Sequence, residues 1–215
     1  MSILTKSNIL DLIVKKELSF APELDKYQLQ RHSVDLRLGL TFMVPRLWDL
    51  VSEGRIVLNM DCFNQKKSSF ETITLEEGQY FEILPGEYVL VSTLEKIKLP
   101  LFVMAVLYPR SSVNRRGLSL DLTGIVDAGY EGNLIVPVRN NTKAQVIRIY
   151  PGERFCQLVF YFLANGVEKR NSRYHDKDMT VGVLPERSKT EMDLLKKGKL
   201  RELKEKYVLV NKNKK

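Results

Sequence analysis

Apolar residues recur at helical spacing near the N-terminus. Ile9, Leu10, Leu12, Ile13 and Val14 fall within Asn8 to Lys16, with Ser7 available as an N-cap, and predict a short helix. From Ser33 to Phe162 the pattern changes to short apolar or alternating runs: Ile56 to Leu58, Thr72 to Leu75, Tyr88 to Val91, Val103 to Leu107, Asn133 to Val138, Gln145 to Ile149 and Gln157 to Phe162. Gly, Pro, Asn and Asp clusters separate them, which predicts an antiparallel barrel, sandwich or jelly roll rather than alternating βαβ units. The longest apolar stretch, Leu99 to Tyr108, is too short to span a bilayer and ends in Pro109, so it reads as a buried strand. Leu84-Pro85-Gly86-Glu87 and Tyr150-Pro151-Gly152-Glu153 repeat one turn, in which Pro sets φ and Gly permits the positive φ of a type II turn. Ser188-Lys189-Thr190-Glu191 fits a capping box, and Leu200, Leu203 and Tyr207 follow at helical spacing, predicting a C-terminal helix weakened by Gly198 in its middle.

The 215 residues, 44% hydrophobic and 28% charged, suit one domain with appendages and exclude disorder throughout. The expected division is a β domain with its N-terminal helix over 1–172, then a tail and basic helix over 173–215. Net charge is +8, but from Lys189 onward ten Lys or Arg face four acids, so +6 belongs to the tail and +2 to the rest. That distribution reads as a solvated basic helix rather than a nucleic-acid contact. Two cysteines far apart, Cys62 and Cys156, argue against a disulfide framework and for a reducing cytoplasm. The N-terminal stretch, with Asp11 and no small-residue cleavage site, does not read as a signal peptide, and no membrane anchor is expected.

The sequence lacks several signatures of catalysis. His32 and His175 are the only histidines and neither lies in H-E-x-x-H; the cysteines form no C-x-x-C, so a protein-held catalytic zinc is not expected. G-x-S-x-G, G-x-x-x-x-G-K-[ST] and G-x-G-x-x-G are also absent. Chemistry concentrates between Pro109 and Phe160. Arg110, Ser111, Ser112, Arg115 and Arg116 bring hydroxyls and guanidiniums together after a buried strand, a set suited to polyphosphate oxygens. The bland alternative is a polar loop with capping serines. Gly124-Ile125-Val126-Asp127-Ala128-Gly129-Tyr130-Glu131-Gly132 places one carboxylate between an apolar strand end and a glycine-flanked turn. Asp127 reads either as a water-activating base with Tyr130 against a sugar, or as a turn residue with Tyr130 anchoring a hairpin.

Four segments occur in a specific order: His32-Ser-Val-Asp35-Leu-Arg37-Leu-Gly39, Pro109-Arg-Ser-Ser112, Gly124-Ile-Val-Asp-Ala-Gly-Tyr-Glu-Gly132 and Pro151-Gly-Glu-Arg-Phe-Cys-Gln-Leu158. In this combination the chain resembles the dUTPase and dCTP deaminase superfamily from its N-terminal helix to about Phe162. The resemblance implies a mainly β, distorted jelly-roll or barrel-like dUTPase-type fold. It also implies a homotrimer with sites between subunits.

Two departures separate the branches. The deaminase pattern carries a proton-shuttling glutamate on the strand after the Asp-Gly-Tyr turn, and by register that position is Pro137 here. Glu131, six residues upstream and about 20 Å away on an extended chain, does not reach the same atom; Asp121, on the facing side of the predicted hairpin, stays open. The connection Thr123-Gly124-Ile125-Val126-Asp127 also matches the shorter dUTPase form, whose backbone resembles a base-pairing edge for uracil. Against this, the dUTPase C-terminal closing arm is missing. Arg173, Lys177 and Arg187 in a loosely deaminase-like tail are candidate cations for the γ-phosphate.

The resulting expectation is a dUTP diphosphatase forming dUMP and pyrophosphate, with a mono- or bifunctional dCTP deaminase producing dUTP or dUMP and an inactive nucleotide-binding relative as alternatives. The resemblance implies that Asp127 activates water, Ser111 binds near the α,β-bridge, and Arg110, Ser112, Arg115 and Gln157 serve the phosphate region. It further implies that Tyr130 stacks on deoxyribose and that Thr123, Gly124 and Ile125 read uracil. Mg²⁺ is expected to arrive with the triphosphate, with Asp35 either touching its water shell or pairing structurally with Arg37.

Overall fold

The computed structural model describes residues 2–58, 69–121, 124–168 and 188–209. Helix α1 (Lys6–Val14) is present, but its cap is Thr5 rather than Ser7. The Thr5 side chain accepts from the Asn8 amide while the Asn8 side chain accepts from the Thr5 amide, satisfying two end donors reciprocally. The helix buries Ile9 and Leu12 against the sheet core.

Thirteen strands are described: β1 (Ser19–Ala21), β2 (Val34–Pro45), β3 (Trp48–Val51), β4 (Gly54–Val57), β5 (Phe70–Thr74), β6 (Phe81–Ile83), β7 (Tyr88–Lys98), β8 (Val103–Pro109), β9 (Leu118–Leu120), β10 (Ile125–Val126), β11 (Glu131–Asn140), β12 (Ile147–Ile149) and β13 (Arg154–Phe162). A short helix α2 (Ser111–Arg115) links β8 to β9. The main sheet runs β10-β8-β13-β2-β7-β11-β9, with β1 added on β7 and β5 on β2, every pairing antiparallel. It is a curled half-barrel, so the mainly β expectation holds.

Alternation along the strands sets the two faces of this sheet. In β11, Leu134, Val136 and Val138 point inward, while Asn133, Ile135, Pro137 and Arg139 face outward. Phe42, Phe160, Leu36, Leu158 and Ile97 are fully buried in the core, each burial contributing about 1.5–3 kcal/mol. Both Pro-Gly turns form as expected: Gly86 and Gly152 take φ of 77° and 83°, and the Glu87 and Glu153 amides bond the Leu84 and Tyr150 carbonyls at 3.0 Å.

The predicted C-terminal helix is two helices, α3 (Lys189–Lys196) and α4 (Leu200–Lys206). Gly198, at φ 70°, takes a conformation no helix interior allows and breaks them apart. Ser188 caps α3 by accepting from the Glu191 amide. Among the described residues no helix is long and apolar enough to cross a membrane. Cys62, Arg173, His175, Lys177 and Arg187 lie outside the described residues.

Candidate functional site

Strand β8 joins the two parts of the expected site. At its C-terminal end, α2 exposes the hydroxyls of Ser111 and Ser112 and the guanidinium of Arg115. Arg110 begins this turn and is held from below: its Nε lies 3.0 Å from Oδ2 of Asp35, and its Nη1 donates to the Arg154 carbonyl at 3.0 Å. Arg154 meets the same Asp35 oxygen at 3.2 Å and donates to the Tyr27 carbonyl at 2.5 Å. Gln157, next along β13, donates to the Pro109 carbonyl at 3.2 Å and accepts from Ser33 at 3.4 Å. Ser111, Ser112 and Arg110 therefore sit on a braced platform, which Gln157 supports through backbone.

Asp35 is only 2% exposed, and its carboxylate serves Arg110 and Arg154. Burial pushes its carboxyl above the ordinary carboxylate range, against the pull of Arg110, Arg154 and Arg37. The expected pairing with Arg37 does not form. Arg37 instead brings Nε and Nη2 onto Oδ2 of Asp25, at 3.0 and 2.7 Å. Glu95 lies beneath, 1% exposed, accepting from the Gln28 side chain at 2.6 Å and the Arg37 amide at 3.0 Å. Burial pushes the pKa of the Glu95 carboxyl up, and that of the Cys156 thiol further still with the charges of Glu95 and Asp35 nearby, which leaves the thiol inert as a nucleophile.

The other part lies at the opposite end of β8. Ile125 and Val126 form β10, the sheet edge, in register with Val106 and Ala105. The Gly124 carbonyl is taken by the Leu107 amide at 2.9 Å. The alternating antiparallel pattern then turns the N–H and C=O of Ile125 away from β8, toward the open edge. Ile125 is 69% exposed, and Asp127, just beyond the strand, is exposed as well. Thr123 lies outside the described residues.

Tyr130, expected from sequence at a deoxyribose or as a hairpin anchor, packs inward. It is 9% exposed within the core, with its hydroxyl donating to the Asn133 carbonyl at 2.7 Å. This placement fits the hairpin-anchor reading of the residue, next to the Gly129 turn at φ 76°.

Asp127 and Ser111 do not meet within one chain. Continuing the register places Asp127 level with Met104, and Pro109, where β8 ends before the Ser111 helix, stands five residues further along, about 17 Å away at roughly 3.3 Å per residue. One residue with a polar role here was not singled out from sequence: Arg154, visible in the Pro151-Gly-Glu-Arg154 motif, which completes the brace on Asp35.

A family model described as dCTP deaminase-like matches residues 3–163. The chain belongs to the dCTP deaminase-like family. It is 42% identical over 159 residues to a protein of Persephonella marina named dCTP deaminase, dUMP-forming, covering 74% of this chain and 82% of that relative. A relative with the same name from Methanosphaera stadtmanae is 33% identical over 208 residues, covering 93% of this chain and all of the relative. The crystal structure of 2'-deoxycytidine 5'-triphosphate deaminase from Agrobacterium tumefaciens shares the fold, with a TM-score of 0.56 and 24% identity; the match covers 74% of this chain and 47% of that one.

These findings overturn the expectation of a dUTP diphosphatase as the main activity. Relatives spanning most of the chain carry a deaminase name that also specifies dUMP as product. The short connection before Asp127 and Pro137 on β11 therefore do not remove the chain from the deaminase branch.

Proposed function

We propose that this chain is a dUMP-forming dCTP deaminase, which releases ammonia from the cytosine ring of dCTP and cleaves the triphosphate to leave dUMP and pyrophosphate. The observation that carries this reading is the 33% identity along the full length of a relative so named. The edge at Ile125 is compatible with both bases. One N–H and one C=O are matched by N4–H and N3 of cytosine as well as by the N3–H and a carbonyl of uracil, so this edge need not exclude the amino base.

Ser111, Ser112, Arg110 and Arg115 bind the phosphates in this reading, with Arg110 aimed by Asp35 and Gln157 bracing the loop from β13. Asp127 takes a proton from the water that attacks the α-phosphorus in line with the departing pyrophosphate. Magnesium would come with the triphosphate of the substrate rather than be held by this chain's own side chains, and would supply charge neutralisation there. Because Asp127 and Ser111 are separated within one chain, the site forms between subunits of a homotrimer.

Incubating the protein with dCTP and Mg²⁺ tests the reading. Ammonia, dUMP and pyrophosphate are expected in equal amounts. Absence of ammonia would remove the deaminase assignment.

A further inference from the structure

Deamination requires a group that moves protons between water and the ring, and Pro137 has none to move. The sheet register supplies a neighbour. Strands β9 and β11 pair Leu120 with Val138 and Ser119 with Arg139, and the Asp121 amide continues the ladder by donating to the Pro137 carbonyl at 3.1 Å. Asp121 is thus the cross-strand partner of Pro137. Partners in register point to one face with Cβ atoms about 4.5–5.5 Å apart.

The side chains bear this out. Ser119 donates to Oδ1 of Asp121 at 2.5 Å, and Arg139 Nε lies 3.3 Å from Oδ2, so both neighbours share the outward face with Pro137. Each carboxylate oxygen is thereby fixed, yet retains a lone pair for a further proton. Leu90, opposite Pro137 on β7, belongs to a small apolar cluster on this sheet with Ile135 and Tyr88. Asp121 consequently rims a patch of apolar and aromatic side chains, three residues before the Gly124 and Ile125 edge. Among the other carboxylates near this edge, Glu131 is engaged by Lys96 at 3.4 Å and Lys98 at 3.9 Å, toward the far end of β11.

We propose that Asp121 is the proton carrier of deamination, doing from β9 what a carboxylate at position 137 would do from β11. This rests on the deaminase reading above. As the water oxygen bonds to C4, Asp121 takes one water proton and gives it to N3. It then takes the remaining proton from the new hydroxyl and gives it to N4. The C4–N4 bond breaks, ammonia leaves, and the oxygen becomes the C4 carbonyl of uracil. One water is consumed and no redox partner is needed.

The test compares ammonia release from dCTP by the full chain, Asp121→Asn and the double variant Asp121→Asn with Pro137→Glu. Asn keeps the size and the contact with Ser119, and its loss of release should be about 10²–10⁴-fold. The double variant returns a carboxylate to the same face from the neighbouring strand and should regain at least about tenfold of that loss. Full release by Asp121→Asn overturns the inference, as does a loss that the double variant fails to recover. If the unmodified chain itself releases no ammonia, the deaminase reading falls and the inference with it, a result distinct from either of those.

Discussion

Asp35 and Arg110 join the buried acid layer to the Ser111 loop, 3.0 Å from Oδ2 to Nε, with Arg154 on the same oxygen. The carboxylate is nearly inaccessible, whereas the two arginine side chains remain about a quarter exposed, at 26% and 29%. Replacing Asp35 by Ala leaves two cations without their counter-charge. Partial solvent screening brings the expected loss of stability to about 2–3 kcal/mol, below the value for a fully buried pair. Urea unfolding measures that loss. A rise in KM for dCTP exceeding any fall in kcat is expected alongside it, because Arg110 loses its aim; an unchanged KM would make the brace purely structural.

Asp127 and Ser111 should behave as halves of one site contributed by different chains. Asp127→Asn is expected to reduce dUMP formation at least about 10²-fold, with dUTP accumulating from dCTP in its place. Ser111→Ala weakens the same step from the other side. Refolding the two variants together should restore dUMP formation at roughly a quarter of the sites, where both healthy halves meet across an interface. No recovery in the mixture would place the whole site within one chain.

Glu95 gives a pH signature. Its carboxyl is raised above the usual 4.5 by burial, so the folded state holds the proton more tightly than the unfolded chain. The resulting stability is fully present below the unfolded value and is lost as pH rises through the folded one. Glu95→Gln removes this contribution. Urea midpoints from pH 4 to 8 should show the wild-type advantage over the variant shrinking as pH rises, and a difference independent of pH would contradict the assignment.

Gly129 holds the turn between Asp127 and Tyr130 at φ 76°, and a Cβ there would come within 2.7 Å of Leu101 Cδ2. Gly129→Ala is expected to cost about 1–2 kcal/mol from the left-handed backbone alone. It should also depress dUMP formation more than nucleotide binding, since Asp127 shifts while the Ser111 loop does not. Thermal unfolding and product chromatography check the two effects separately.

Local patterning accounted for most of the fold. Alternation and Pro-Gly punctuation marked β4, β5, β7, β8, β11, β12 and β13 but not β1, β2, β3, β6, β9 or β10, and both type II turns appear where their residues placed them, because such signals act through φ and side-chain direction within a few residues. Gly198 was visible as a weak point and proved to be a break, since a glycine at positive φ ends a helix. Cap choice was less legible: Thr5 and Ser7 are chemically equivalent in sequence, and only the reciprocal bond with Asn8 selects Thr5.

The candidate site divides in the same way. The kinds of residue needed for phosphate and base contact, and their order along the chain, are properties of the sequence: Arg110 and Ser111 after one strand, Gly124 to Asp127 around another. Tertiary structure alone decided who pairs with whom. Asp35 reaches Arg110 and Arg154 from residues 75 and 119 positions away, Tyr130 turns into the core, and Asp121 falls beside Pro137 because β9 and β11 pair in one register out of several possible. Registers and buried ion pairs depend on the balance of burial and bonding over the whole sheet, and a residue's immediate neighbours in sequence carry no record of that balance.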